Sequence, residues 1–180
     1  MKKALIALVL ATASNAAHAD ALLYASVGAG QATYDIGDGV SEKETGYSLT
    51  GGTGLLPFIG IEAGTVNHGT MSFSGSSGAV DVTASSYFAA VRPSIDFVNL
   101  HIYGKAGIHS TSTETKVQSN NMDTSNIGLL YGVGAEYFFM PMFSTGLSYT
   151  IFNGQKVNDG AGERSYDLNN LSLNVTFHFL

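Results

Sequence analysis

Between residues 127 and 139 the apolar side chains fall on every second position: Ile127, Leu129, Tyr131, Val133, Ala135, Tyr137 and Phe139. The interleaved positions hold Gly128, Leu130, Gly132, Gly134, Glu136 and Phe138. A β-strand sends successive side chains to opposite faces, so this segment predicts one apolar face and one glycine-rich face with a lone carboxylate. The same period returns elsewhere. Leu100, Ile102, Ala106 and Ile108 oppose His101, Tyr103, Lys105, Gly107 and His109, and Ile59, Ile61, Ala63 and Thr65 oppose Phe58, Gly60, Glu62 and Gly64. Phe143, Thr145, Leu147, Tyr149 and Ile151 oppose Ser144, Gly146, Ser148 and Thr150. Leu171, Leu173, Val175, Phe177 and Phe179 oppose Asn170, Ser172, Asn174, Thr176 and His178. Segments 22–34 and 44–55, rich in Gly and Tyr, and 82–92, whose parity is ambiguous around Tyr87 and Phe88, bring the predicted strands to eight.

The connections alternate in length. Stretches 35–43, 68–81, 110–124 and 153–167 read as long polar loops, whereas 56–57, 93–98 and 140–142 are short. Pro57, Pro93 and Pro141 each fall in a short connection, where a residue that cannot donate to a ladder is expected. An even number of strands with turns alternately tight and long predicts an all-β fold. The expectation is an eight-stranded antiparallel up-and-down transmembrane β-barrel, with short periplasmic turns and long extracellular loops. A soluble, lipocalin-like barrel would hide its apolar face and show its charges, the reverse of the pattern here.

Composition narrows this further. Charged residues make up 12% of the chain, against about 25% in an average soluble domain. No stretch after residue 19 holds the roughly 18 apolar residues in a row that a spanning helix needs. Lys2 and Lys3, the apolar run 4–13 and Ala17-His18-Ala19 form a secretory signal peptide over residues 1–19, leaving a barrel domain at 20–180. Without Lys2 and Lys3 the chain has six basic and fourteen acidic residues, a sign that argues against nucleic acid as a partner. It contains no cysteine, so disulfides and lipid attachment through a cysteine are ruled out.

Gly60-Ile61-Glu62-Ala63-Gly64, Tyr103-Gly104-Lys105-Ala106-Gly107 and Tyr131-Gly132-Val133-Gly134-Ala135-Glu136-Tyr137 resemble the small outer-membrane barrels. These are the transmembrane domain of outer membrane protein A, outer membrane protein X, and the opacity and Ail-type surface proteins. The resemblance covers the barrel domain with short motifs. It implies insertion by the barrel-assembly machinery, which reads an alternating terminal strand ending in an aromatic residue. Phe177-His178-Phe179 fits that signature, with Leu180 one residue beyond. No peptidoglycan-binding module is expected after the last strand.

The inner face should carry Glu62, Arg92, Lys105 and Glu136. Unpaired charges in a lumen cost several kcal/mol, so they should pair, Lys105 with Glu136 and Glu62 with Arg92, each on neighbouring strands. Two readings stay open: a gate whose bridges exchange to open a small pore, and a static polar plug. Tyr24, Tyr47, Tyr131, Tyr137, Phe139, Phe143, Tyr149, Phe177 and Phe179 suit aromatic girdles at the membrane interfaces.

Of five histidines, His18 leaves with the signal peptide, His68 opens a loop, and His101, His109 and His178 point inward. None has close metal-ligand spacing, so neither a metal nor another cofactor is expected. His109 and Ser110 are adjacent and face opposite sides, so they make no nucleophile–base pair, and a lipid-modifying enzyme would need a serine from another strand. Gly28-x-Gly30 and Gly51-Gly52-x-Gly54 lack the following helix of a phosphate loop. The loops hold Asp35, Asp38, Glu42, Glu44, Asp81, Glu114, Asp123, Asp159 and Glu163. Among them 158–163 is the best candidate for Ca²⁺ or Mg²⁺ beside lipopolysaccharide, against the alternative of a solvated acidic surface. The functional expectation is a non-enzymatic structural and surface-display barrel. Its partners would be outer-membrane lipid, lipopolysaccharide and a host or surface ligand at the loops. The mature protein should begin at Asp20, as the intact mass of the membrane-extracted form will show.

Overall fold

The alternating segments all form strands in the computed structural model, which describes residues 23–35, 41–75, 78–117, 120–158 and 163–179. They are β1 (Leu23–Asp35), β2 (Ser41–Leu56), β3 (Ile59–Gly75), β4 (Gly78–Phe97), β5 (Leu100–Val117), β6 (Asn120–Met140), β7 (Phe143–Asn158) and β8 (Glu163–Phe179). Each pairs antiparallel with its neighbour in sequence, and β1 closes on β8 from Leu23↔Phe179 to Asp35↔Asp167. Closure removes both sheet edges, the condition for a sheet to cross lipid.

The two predicted faces separate cleanly. Val27, Leu49, Ile61, Ile108, Leu129, Val133, Leu147 and Leu173 are exposed on the outer surface. Phe88, Leu130, Phe152, Leu168 and most of the polar side chains of alternate parity are buried inside. An apolar exterior around a partly polar interior is inside-out for a protein in water and right for one in lipid.

Three expectations are corrected. The segments 68–81, 110–124 and 153–167 are mostly paired strand, not loop: β3 runs to Gly75, β5 to Val117 and β7 to Asn158. The period-two signal fades there because the outward positions change from apolar to Ser, Thr and Asn, although the backbone goes on pairing. Two bulges also break the parity. Register slips between Asn67 and Thr70 and between Phe152 and Gln155, where Gly69 and Gly154 adopt φ of 84° and 85°. These conformations favour a residue without Cβ, and each extra residue flips the faces. Val66 and Met71 therefore both point inward, as do Phe152 and Gln155.

His68, expected at the mouth of a loop, is wholly buried within β3. Pro93, expected in a turn, lies within β4, which continues to Phe97. Having no N–H, it interrupts the β4–β5 ladder, which lapses at Arg92 and Pro93 and resumes in the same register at Ser94. The turn itself is Val98-Asn99, with Val98 at φ 54°.

Glycine in the lumen makes room for specific rings. Tyr24 lies opposite Gly52 and Tyr103 opposite Gly134 in register. A Cβ built on either glycine would run into the facing tyrosine ring. Gly134→Val should therefore cost about 1–3 kcal/mol through overpacking. A lower urea midpoint would register this, with gel mobility before and after boiling as the check on folding.

Candidate functional site in the barrel lumen

Near the end of the barrel that carries the tight turns, four strands send charged side chains into the lumen: Glu62 from β3, Arg92 from β4, Lys105 from β5 and Glu136 from β6. The structure brings all four together; it keeps the expected Glu62–Arg92 pair only as a long contact and replaces Lys105–Glu136 with two shorter pairs. Lys105 Nζ lies 2.7 Å from Glu62 Oε1, and Arg92 Nη2 lies 2.8 Å from Glu136 Oε1. Arg92 Nε also faces Glu62 Oε2 at 3.9 Å, so Arg92 stands between the two carboxylates. The reason is the stagger of the sheet. Lys105 is opposite Gly132 and Glu136 opposite His101, four residues apart along the axis. Ions at different heights meet more easily across a narrow lumen than along it.

Two cations and two anions leave the layer formally neutral. Tyr24 donates its hydroxyl to Glu62 Oε2 at 3.1 Å, and Ser144 donates to Glu136 Oε2 at 3.3 Å. The Arg92 guanidinium stacks 3.7 Å from the centroid of the Tyr103 ring and 4.9 Å from that of Tyr24. A desolvated cation over aromatic faces gains up to about 2 kcal/mol per contact. Tyr24 was expected in the outer girdle. It is instead 4% exposed and belongs to this layer, because the first strand's register puts it opposite Gly52 inside the barrel. Sequence reasoning had not singled out Tyr103 or Ser144; an aromatic residue paired with a glycine of inward parity is the signal that finds Tyr24 and Tyr103.

Tyr47, Tyr131, Tyr137, Phe139, Phe143, Tyr149 and Phe179 lie exposed on the outer surface. Phe177 packs among them, tilted against Phe143 at 5.0 Å and edge to face with Phe179 at 4.7 Å between ring centroids. Phe58, Tyr87 and Phe97 extend the aromatic surface.

The histidines occupy the two ends of the lumen. His101 contacts Asp96 through Nδ1, and His178 Nε2 lies 3.0 Å from Ser144 Oγ. His68 meets Ser86 at 2.8 Å, while His109 meets Thr111 at 3.0 Å. Ser144, His178 and Glu136 have the residue types of a hydrolytic relay but not its geometry. Serine and acid approach the same Nε2, at 3.0 and 4.0 Å, whereas a relay places the acid on the other ring nitrogen. Ser110 points away from His109, 3.5 Å from Ser125. Among the described residues no three His, Asp or Glu side chains converge in a metal-binding cluster. Residues 1–19, Asp38, Leu180 and most of the candidate cation loop 158–163 lie outside the described residues.

A closed sheet with lipid on one side and a neutral ionic layer on the other defines an integral membrane β-barrel. The chain belongs to the outer membrane protein β-barrel domain family, whose pattern matches residues 4–179. It resides in the outer membrane of a Gram-negative cell. No curated protein matches the sequence. Solved structures share the fold at low identity. Neisserial surface protein A has a TM-score of 0.74 at 17% identity, over 89% of this chain and 99% of that one. The attachment invasion locus protein Ail of Yersinia pestis gives 0.64 at 18%, over 89% and 100%. OprG of Pseudomonas aeruginosa gives 0.59 at 13%, over 90% and 99%.

Removing Arg92 strands Glu136 and half of the Glu62 environment. Arg92→Ala should lower stability by about 3–5 kcal/mol, the cost of breaking a buried pair from one side. Arg92→Met combined with Glu136→Gln should recover much of that loss. Urea unfolding of the refolded barrel in lipid vesicles checks both.

Proposed function

We propose that this protein is a non-enzymatic scaffold of the outer membrane that displays extracellular hairpins for adhesion or colonisation. The observation that carries the reading is the length and surface of β3 to β6. These strands have 17, 20, 18 and 21 residues, where about 9–11 suffice to cross the bilayer. Their far ends carry polar outward positions: Asn67, Thr70, Ser72, Ser85, Ser112 and Ser125. Cross-strand hydrogen bonds tie this surface, Thr70 to Thr83 at 2.8 Å and Ser72 to Asp81 at 2.7 Å. A rigid sheet held clear of the membrane is a suitable platform for recognition.

Charge sets the chemistry of the partner. Residues 35–46, 67–85, 110–126 and 153–167 contain ten acids and four bases. A surface of that sign suits a neutral or basic protein partner and repels a sulfated polysaccharide. Ail, of similar fold, has been crystallised with the heparin analogue sucrose octasulfate, so this chain would differ from it in ligand. Against lipopolysaccharide the acids would act through bridging divalent cations.

The alternating outer residues Leu171, Leu173, Val175, Phe177 and Phe179 are the segment the assembly machinery would read. A pore would need a continuous water path, and the filled lumen favours the scaffold reading. The absence of a relay at Ser144 favours a non-enzymatic role.

Trimming β3–β4 to 67–85 and β5–β6 to 112–125, each rejoined by a short turn, should leave the heat-modifiable barrel intact. Adhesion of expressing cells to matrix-protein surfaces should fall to the level of cells lacking the protein, and heparin should not compete in the untrimmed form. Undiminished adhesion after trimming would refute display by these hairpins. Release of fatty acid from lipopolysaccharide by purified protein would refute the non-enzymatic assignment.

A further inference from the structure

Between the ionic layer and the extracellular half of the lumen lies a chamber of about 40 Å³. Glu62, Lys105 and Glu136 bound it on one side, and Val66, Phe88 and Phe152 on the other. Its remaining wall comes largely from hydroxyls and amides, among them Ser148 and Asn174, which are joined by a hydrogen bond of 2.9 Å. Since one water needs about 10–15 Å³ and two to four polar partners, a chamber of this size and lining has room for about three waters.

The two boundaries differ in kind. The ionic side is neutral and polar, with Arg92 standing between both carboxylates, so water there finds partners. The apolar side offers water nothing. Phe88 and Phe152 meet edge to face at 6.5 Å between centroids, and Val66, Met71, Leu130 and Leu168 fill in around them, all buried. Beyond them His68, Ser86 and Gln155 are fully buried as well. A hydrophobic constriction stops ions by excluding water, without any charge.

We propose that the lumen is sealed twice in series: an ionic seal faces the periplasm, a dewetted seal at Phe88 and Phe152 faces the outside, and the chamber between them is hydrated. Either seal alone blocks passage. The barrel therefore stays closed when its salt bridges rearrange, and the apolar layer is the part that sets impermeability to the exterior.

The absence of cysteine from the chain makes the seals separately readable. Ser148→Cys places a single thiol in the chamber. A charged, membrane-impermeant thiol reagent is then applied to one face at a time of oriented vesicles containing the full-length protein. With both seals intact the thiol should stay unlabelled from either face. Phe88→Ser with Phe152→Ser should expose it to the extracellular face alone. Replacing Glu62, Arg92, Lys105 and Glu136 together by Ala, which strands no charge, should expose it to the periplasmic face alone. Cold gel mobility reports folding of each variant.

Labelling from outside in the charge-stripped barrel would overturn the proposal, because the apolar layer would then be no seal. Continued protection from outside in a folded Phe88/Phe152 variant would overturn it equally. If that double variant fails to fold, the charge-stripped barrel alone decides: labelling confined to the periplasmic face supports the two seals, and labelling from outside, or from neither face, refutes them.

Discussion

In hydrocarbon a backbone N–H or C=O finds no water, and each one left without a partner costs several kcal/mol. The pairing of β1 with β8 over the full length of β1, from Leu23↔Phe179 to Asp35↔Asp167, meets that constraint. Once eight strands are joined into a ring, much else follows. The ring is narrow, with an interior just wide enough for side chains. Small residues must therefore alternate with large ones, and any charge inside has to be neutralised by another within reach. Gly52 and Gly134 yield space to Tyr24 and Tyr103, and these rings in turn hold the Arg92 guanidinium between two glutamates.

The interior is layered. Ion pairs occupy the end near the tight turns, and aromatic and aliphatic side chains occupy the middle. A polar network of His68, Ser86, Thr111 and Gln155 lies beyond, linked by hydrogen bonds of 2.8, 2.6 and 3.0 Å. The bulges at Gly69 and Gly154 make the last transition possible. Each inserts one residue and turns the inward parity, so Met71 and Gln155 face the lumen where an unbroken strand would aim them outward. Local backbone irregularity thus redistributes side chains between faces without opening the ladder.

The same ladder extends past the membrane. Because strands β3 to β6 go on pairing beyond the bilayer, the extracellular part is sheet for much of its height and inherits the rigidity of the barrel. The change from Leu and Val to Ser, Thr and Asn along one face of a continuous strand marks where lipid gives way to water. An acidic, hydroxylated surface on a stiff support is the feature on which the proposed display role rests.

Alternation, the count of strands, and the inward placement of Glu62, Arg92, Lys105 and Glu136 were readable from the chain, because the face a residue occupies depends only on its parity within a strand. Parity is local. The shortest pairings among those charges were not readable, because they depend on the stagger between strands, which sums the register of every pair around the ring. Tyr24 shows the same limit: its type suits a membrane interface, and only its position opposite Gly52 places it inside. His68 and the far halves of the strands were missed because one inserted residue, or the replacement of lipid by water outside, erases a two-residue period while the backbone goes on pairing. Sequence alone determined that a membrane barrel forms and which face most side chains of its lipid-crossing segments take. The closed tertiary structure decided which of them touch, since contacts across the lumen exist only after the ring has closed.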